Sequence, residues 1–129
     1  MNNYSILLLR FAALFGLVGV FLGSHMAGAG SYAFRPVHAH ALVVGWLSLF
    51  AWAVYYKVFH TKKTKLAIVQ VWSAIIGAVG LTLGMWLHMV QPFDLPTGVT
   101  LPLYIGGGSA LLLSYVVFFL MAFFYKEEK

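Results

Sequence analysis

The sequence contains no cysteine. This absence excludes disulfide bonds, thiolate zinc sites, iron–sulfur clusters, haem attached through thioether bonds, and thiol nucleophiles. Any metal ion bound by this chain must therefore take histidine, methionine or oxygen ligands.

Acidic residues are almost as scarce, with three in 129 residues. They are Asp94, Glu127 and Glu128, and all lie at or beyond the ends of the apolar runs. Arg10, one turn inside the first run, has no embedded acid to pair with, so we expect its side chain to extend toward the head groups. Proton pumps usually bury carboxylates along their path, and the sequence therefore argues against proton pumping.

Charged residues make up only 9% of the chain, whereas hydrophobic residues make up 62%. That is too apolar for a soluble domain, and four runs reach the roughly 20 residues that cross a bilayer. They lie near residues 5–24, 37–59, 66–89 and 101–125. We predict an all-α integral membrane protein whose single domain, residues 1–129, has four transmembrane helices, the first being a retained helix rather than a secretory signal.

The net charge of +5 comes mainly from lysines gathered on one side of the predicted membrane. Lys57 lies at the end of the second run, the loop 60–65 follows it, and further lysines follow the fourth run, whereas the opposite loops carry only Arg35 and Asp94. By the positive-inside rule, both termini and the lysine loop are predicted to face the cytoplasm. The bases form no stripe of the kind that binds nucleic acid, so we predict the lipid bilayer, and no nucleic acid, as a partner.

Four of the five histidines then fall at one level, near the outer face of the membrane. His25 ends the first run, His38 and His40 begin the second, and His88 lies near the end of the third. His60 lies in the lysine loop and is expected to be solvated. Because an imidazole without a partner is costly in hydrocarbon, we predict that at least two of the four bind a metal ion or a cofactor.

Helical geometry limits which histidines can share one metal ion. At about 100° per residue, His38 and His40 lie about 200° apart around their helix and must face different neighbours. Gly45 follows two turns below His38 and would leave room for a flat macrocycle, which favours haem. Copper is an alternative, because three methionines lie at the same level as the histidines and a thioether suits Cu(I), and zinc is another. The methionines are Met26, Met85 and Met89.

The segment Arg35-Pro36-Val37-His38, followed by Gly45-Trp46, resembles the second helix of subunit I in C-type haem-copper oxidases and nitric oxide reductases. The resemblance implies that His38 is an axial ligand of a low-spin haem. The His-x-His pair also resembles the tenth helix of that subunit, where the first histidine ligates the high-spin haem and the second the low-spin haem, which implies these roles for His38 and His40.

Along its whole length the chain looks like short four-helix bacterial proteins labelled as oxidase subunit I-like. It shares with them a His-Met ending of the first helix, at His25, and the His-Ala-His opening of the second. They commonly have a histidine at the start of the third helix, where Gln70 or a neighbour stands here. The likeness implies a bacterial cytoplasmic membrane and a single arc of the twelve-helix oxidase ring, which a homotrimer would rebuild. A dimer and a form that depends on a partner protein are the alternatives.

The resemblance also bears on function. In the ring, His38 of one protomer would face His40 of the next across haem b, and Arg35 would meet the propionates, while His25 and His88 would hold propionates or serve as alternative ligands. We therefore expect a bis-histidine haem protein that transfers electrons between a donor and an acceptor that the sequence does not name. The alternatives are an O2- or NO-binding sensor or reductase, a copper or zinc protein without haem, and a structural subunit. A complete proton-pumping oxidase is not expected, because the chain lacks the adjacent His-His pair of the family's copper site.

Overall fold

The computed structural model describes residues 2–59 and 64–126. This part of the chain contains four helices long and apolar enough to cross a membrane, which confirms the predicted all-helical, four-span architecture. We call them α1 (Asn2–Ala29), α2 (Arg35–Val58), α3 (Lys65–Val90) and α4 (Thr97–Phe123). The predictions for His60, the loop lysines Lys62 and Lys63, and the terminal Glu127, Glu128 and Lys129 lie outside the described residues.

The helix ends differ from the predicted ends by a few residues: each helix begins before its predicted start, while α2 and α4 end slightly before their predicted ends. α2 begins at Arg35, with Pro36 in its first turn, where a missing backbone N–H costs nothing. α3 begins after Thr64, whose hydroxyl accepts a hydrogen bond from the Ala67 amide at 3.3 Å. α1 continues to Ala29, so His25 lies inside this helix rather than at its end.

The helices pack as two antiparallel pairs. In the first pair, the Ser5 hydroxyl of α1 donates to the Ala53 carbonyl of α2 at 2.8 Å, and near the other end Gly23 faces His38. In the second pair, a Cβ added to Gly84 of α3 would lie 2.6 Å from the backbone of Tyr104. Such close approach requires glycine, since helices in lipid associate by packing small residues against each other.

Polar and aromatic contacts join the two pairs into one bundle. The Tyr56 hydroxyl of α2 donates to Gln70 Oε1 of α3 at 2.8 Å, and the Trp52 ring lies 4.7 Å from the Tyr115 ring of α4. Gln70 is fully buried, and α3 is the most buried of the four spans. The bundle therefore has two ends, which we call the lysine end (with Lys57) and the histidine end (with His38, His40 and His88).

Two segments of the helices are π-helical, which the sequence pattern did not predict. One is Ala41–Ser48, directly after His40, and the other is Trp86–Val90, which contains His88. In the first segment the Ser48 hydroxyl donates to the Val43 carbonyl, five residues earlier, at 3.0 Å. Since a hydroxyl has one proton, Ser48 must accept from the Tyr115 hydroxyl, 2.6 Å away. The Ser48 side chain and the neighbouring helix α4 thus stabilise a rare backbone form, which in other proteins is frequently found at functional sites.

Candidate functional site

His38 lies at the contact between α1 and α2. Its Nδ1 is 2.6 Å from the Gly19 carbonyl oxygen, and its side chain is half-buried. A carbonyl oxygen only accepts hydrogen bonds, so Nδ1 must carry the proton. In the neutral ring, Nε2 is then unprotonated and presents its lone pair, which is the form in which imidazole binds a metal ion.

Two glycines of α1 contact this imidazole and leave room for it; we call this contact the seat of His38. Gly19 supplies the carbonyl, and a Cβ added to Gly23 would lie 2.8 Å from His38 Cε1, closer than carbon atoms can approach without displacement. The spacing of four residues between Gly19 and Gly23 signals a helix contact. That signal was present in the sequence, but nothing in it identified His38 as the partner.

His40 has the same hydrogen-bond pattern on another face of α2. Its Nδ1 lies 2.9 Å from the Pro36 carbonyl oxygen, one turn earlier in the same helix, so Nδ1 again carries the proton. Residues 35–40 are regular α-helix, which places His40 about 200° around the axis from His38. Since His38 faces α1, His40 is directed away from it.

His88 lies at the contact between α3 and α4. Its Nδ1 is 2.9 Å from the hydroxyl oxygen of the buried Thr100, and its ring lies 5.8 Å, edge to face, from the Tyr104 ring. The π-helical segment that carries His88 ends at Gln91, whose side-chain amide donates to the His88 carbonyl at 3.2 Å. His88 thus belongs to the second helix pair and His38 to the first.

His25 lies on the exposed side of α1. Its ring is stacked 6.5 Å from the Phe21 ring and edge-on 5.5 Å from the Phe34 ring. Among residues 2–59 and 64–126, no hydrogen bond or ring contact joins one histidine to another. The four imidazoles share one end of the bundle, as predicted, but they occupy separate positions there.

The three half-buried histidines leave the same ring nitrogen accessible. In the described part of the chain, Nε2 of His38, His40 and His88 has no hydrogen-bond partner. None of these atoms is among the fully enclosed polar atoms without a partner, which are Gln70 Nε2 and Thr82 Oγ1. Each Nε2 is therefore not fully enclosed within the single chain.

Three or more metal-ligating side chains do not come together within the described residues, counting histidine and carboxylates. The methionines of the copper alternative differ in exposure: Met85 is 3% exposed, whereas Met89 is 52% exposed. A compact site of three or four ligands is therefore not formed by these imidazoles and carboxylates within one chain.

Arg35 and Gly45, both predicted to contact a cofactor, have different surroundings. The Arg35 guanidinium is exposed and lies 5.8 Å from the centre of the Tyr32 ring. No carboxylate within residues 2–59 and 64–126 forms an ion pair with it. Gly45 is buried, and a Cβ there would collide with the Phe15 ring of α1. The space expected beside Gly45 for a macrocycle is filled by Phe15, because α1 and α2 approach closely at this level.

Two polar pairs in the bundle were not identified from sequence: Tyr56 with Gln70, and Ser48 with Tyr115. The sequence signal that could have indicated the first pair is a glutamine within an apolar run, since a buried amide must find a partner. Gln70 Nε2 nevertheless has none. The second pair could not be foreseen, because it depends on the π-helical turn.

No family model, curated protein or solved structure matches this chain.

Proposed function

We propose that this protein is a membrane b-type haem protein that transfers electrons, with His38 and His40 as axial ligands through Nε2. The observation that carries the proposal is the pair of hydrogen bonds from Nδ1 to the Gly19 and Pro36 carbonyls. Metal-ligating histidines usually donate their other ring N–H to a carbonyl or carboxylate, which fixes the tautomer and the ring orientation. Both imidazoles have that arrangement.

The donor set fits haem b. Two neutral imidazoles supply the axial positions, and the exposed Arg35 guanidinium, one turn before His38 and His40, supplies a charge-assisted contact for a propionate. His25 and His88, at the same end of the bundle, are the further candidates for propionate contacts or alternative ligation. Haem with two histidine ligands has no open coordination position and supplies one-electron transfer. Gly45 has no part in this site, because Phe15 covers it.

The two ligands of one iron come from different chains in this proposal. His38 is seated on α1, whereas His40 is directed about 200° away, so no iron can lie between them within one chain. A head-to-tail ring places His38 of one protomer opposite His40 of the next. We propose a homotrimer, by resemblance to the twelve-helix oxidase ring, with a dimer as the alternative. The proposed location is a bacterial cytoplasmic membrane with both termini inside.

The first test is the visible spectrum of the detergent-purified protein. We expect a red protein with a Soret band and, after reduction, the split α-band of a low-spin haem. His38→Ala and His40→Ala should each abolish this spectrum, and His60→Ala should leave it intact as the control. A colourless preparation with no haem from cells that synthesise haem would contradict the proposal.

The same geometry favours one second candidate, a haem sensor or reductase that binds O2 or NO. A chain that presents a single imidazole on each face could hold a five-coordinate iron at His38 alone, since His40 points elsewhere. Carbon monoxide added to the reduced protein separates the two functions. An open iron shifts its spectrum on binding the gas, whereas iron held by both histidines does not.

A further inference from the structure

A groove runs between α1 and α2 at the lysine end, far from the histidines. Its volume is about 280 Å³, and it is open to the outside of the bundle. Its lining is hydrocarbon, including Phe50 and Val54, except for Ser5 at its floor and Lys57 at its rim. In a bilayer such a groove lies where acyl chains are the surrounding medium.

The floor of the groove offers an occupant no free polar group. The Ser5 side chain is buried, and its one proton is donated to the Ala53 carbonyl at 2.8 Å. The same bond holds α1 against α2, and the small Ala53 side chain, which is 3% exposed, lines the groove beside it. The occupant that fits this part of the groove is therefore a hydrocarbon chain.

The rim adds a positive charge. Lys57 is exposed in the last turn of α2, one turn beyond Ala53. It has no acidic partner among the described residues, where the one carboxylate, Asp94, lies in the loop at the histidine end. Lysines at this depth attract anionic lipid head groups.

We propose that this groove binds one anionic phospholipid, with an acyl chain lying on Ala53 between α1 and α2 and with the head-group phosphate at Lys57 Nζ. An acyl chain matches the apolar walls, and the phosphate supplies a counter-charge that residues 2–59 and 64–126 do not place at Lys57. This site is independent of the proposed haem function, since it lies at the opposite end of the bundle.

The test compares phosphatidylglycerol with phosphatidylcholine of identical acyl chains, by native mass spectrometry of the purified protein. Lys57→Gln should lower the affinity for phosphatidylglycerol about fivefold, the effect of one lysine near the membrane surface, and leave phosphatidylcholine unchanged. Lys65→Gln is the matched control, because Lys65 is an exposed lysine at the same end that does not line the groove.

A second pair of variants tests the acyl-chain position without removing charge. Val54→Trp should fill the groove and weaken binding of both lipids, whereas Val69→Trp on α3 should weaken neither. The two valines are equally exposed, 42% and 41%, so neither substitution overpacks the interior.

Three results would overturn the proposal. Equal loss of phosphatidylglycerol in Lys57→Gln and Lys65→Gln would mean that only bulk surface charge acts. Unchanged binding in Val54→Trp would place the lipid elsewhere. Competition by water-soluble glycerol phosphate as strong as that by the lipid would mean that the site takes a phosphate alone.

Discussion

At the scale of single residues, the position of His38 depends on the absence of side chains at Gly19 and Gly23 of α1. The His38 imidazole sits where a side chain at position 23 would be, with Cε1 2.8 Å from an added Cβ. The Gly19 carbonyl then fixes the tautomer. Glycines of α1 therefore determine how the His38 imidazole of α2 is oriented.

Gly23→Ala should displace His38 and weaken haem binding. Overpacking of this kind costs about 1–3 kcal/mol, or roughly 5- to 150-fold in affinity. The measurement is the haem content of the purified variant, read from its Soret absorbance during a haem titration. Gly28→Ala is the control, because an added Cβ there meets nothing within 4 Å. Equal haem affinity in both variants would show that the seat on α1 does not position His38.

The buried pair of Tyr56 and Gln70 makes a second prediction at this scale. Tyr56→Phe removes the one side-chain partner of a fully buried amide and should destabilise the protein by about 1 kcal/mol. The double variant Tyr56→Phe with Gln70→Leu removes both polar partners together with the unpaired Nε2, and it should be less destabilising than Tyr56→Phe alone. The free energies of unfolding in mixed micelles check this, and a larger loss in the double variant than in Tyr56→Phe would contradict it.

At the scale of elements, the π-helical segment Ala41–Ser48 is the feature that departs most from a regular transmembrane helix. It begins directly after His40 and ends at Ser48. The Ser48 hydroxyl donates a hydrogen bond to the Val43 carbonyl and accepts one from the Tyr115 hydroxyl. The two proposed ligands, His38 and His40, thus lie on a short, regular turn of helix, and a wider turn separates them from the rest of α2.

Ser48→Ala should loosen this segment, because the Val43 carbonyl and the Tyr115 hydroxyl both lose their partner. We expect a cost of about 1 kcal/mol and faster amide hydrogen exchange at residues 43–49 than in the intact chain. Tyr115→Phe keeps the bond from Ser48 to Val43 and should change exchange less. If exchange rises equally in both variants, the hydroxyl of Ser48 does not stabilise the π-helical form.

At the scale of the whole molecule, the four spans and the shared level of the histidines follow from sequence, because helix length and alternating direction are set by the bilayer. What the sequence could not supply is side-chain placement. The filling of the Gly45 position by Phe15, the seat of His38 on Gly23, and the π-helical turns all depend on how closely two helices approach. Apolar periodicity does not encode that distance.

The proposed orientation can be tested with single cysteines, since the chain has none of its own. A cysteine in place of Tyr32, between α1 and α2, should react with a membrane-impermeant maleimide added outside intact cells. A cysteine in place of Phe124, just after α4, should react only after the cells are opened. The reverse pattern would place the lysine end outside, against the positive-inside rule.

The central claim is that His38 and His40 ligate one iron from different chains, and co-expression of two defective chains tests it most directly. His38→Ala and His40→Ala should each be free of haem when expressed alone. Expressed together with distinguishable tags, they should regain about a quarter of the wild-type Soret absorbance per chain, the fraction of complete interfaces expected from random mixing in a head-to-tail ring. A mixed assembly that contains both chains and no haem would contradict the claim.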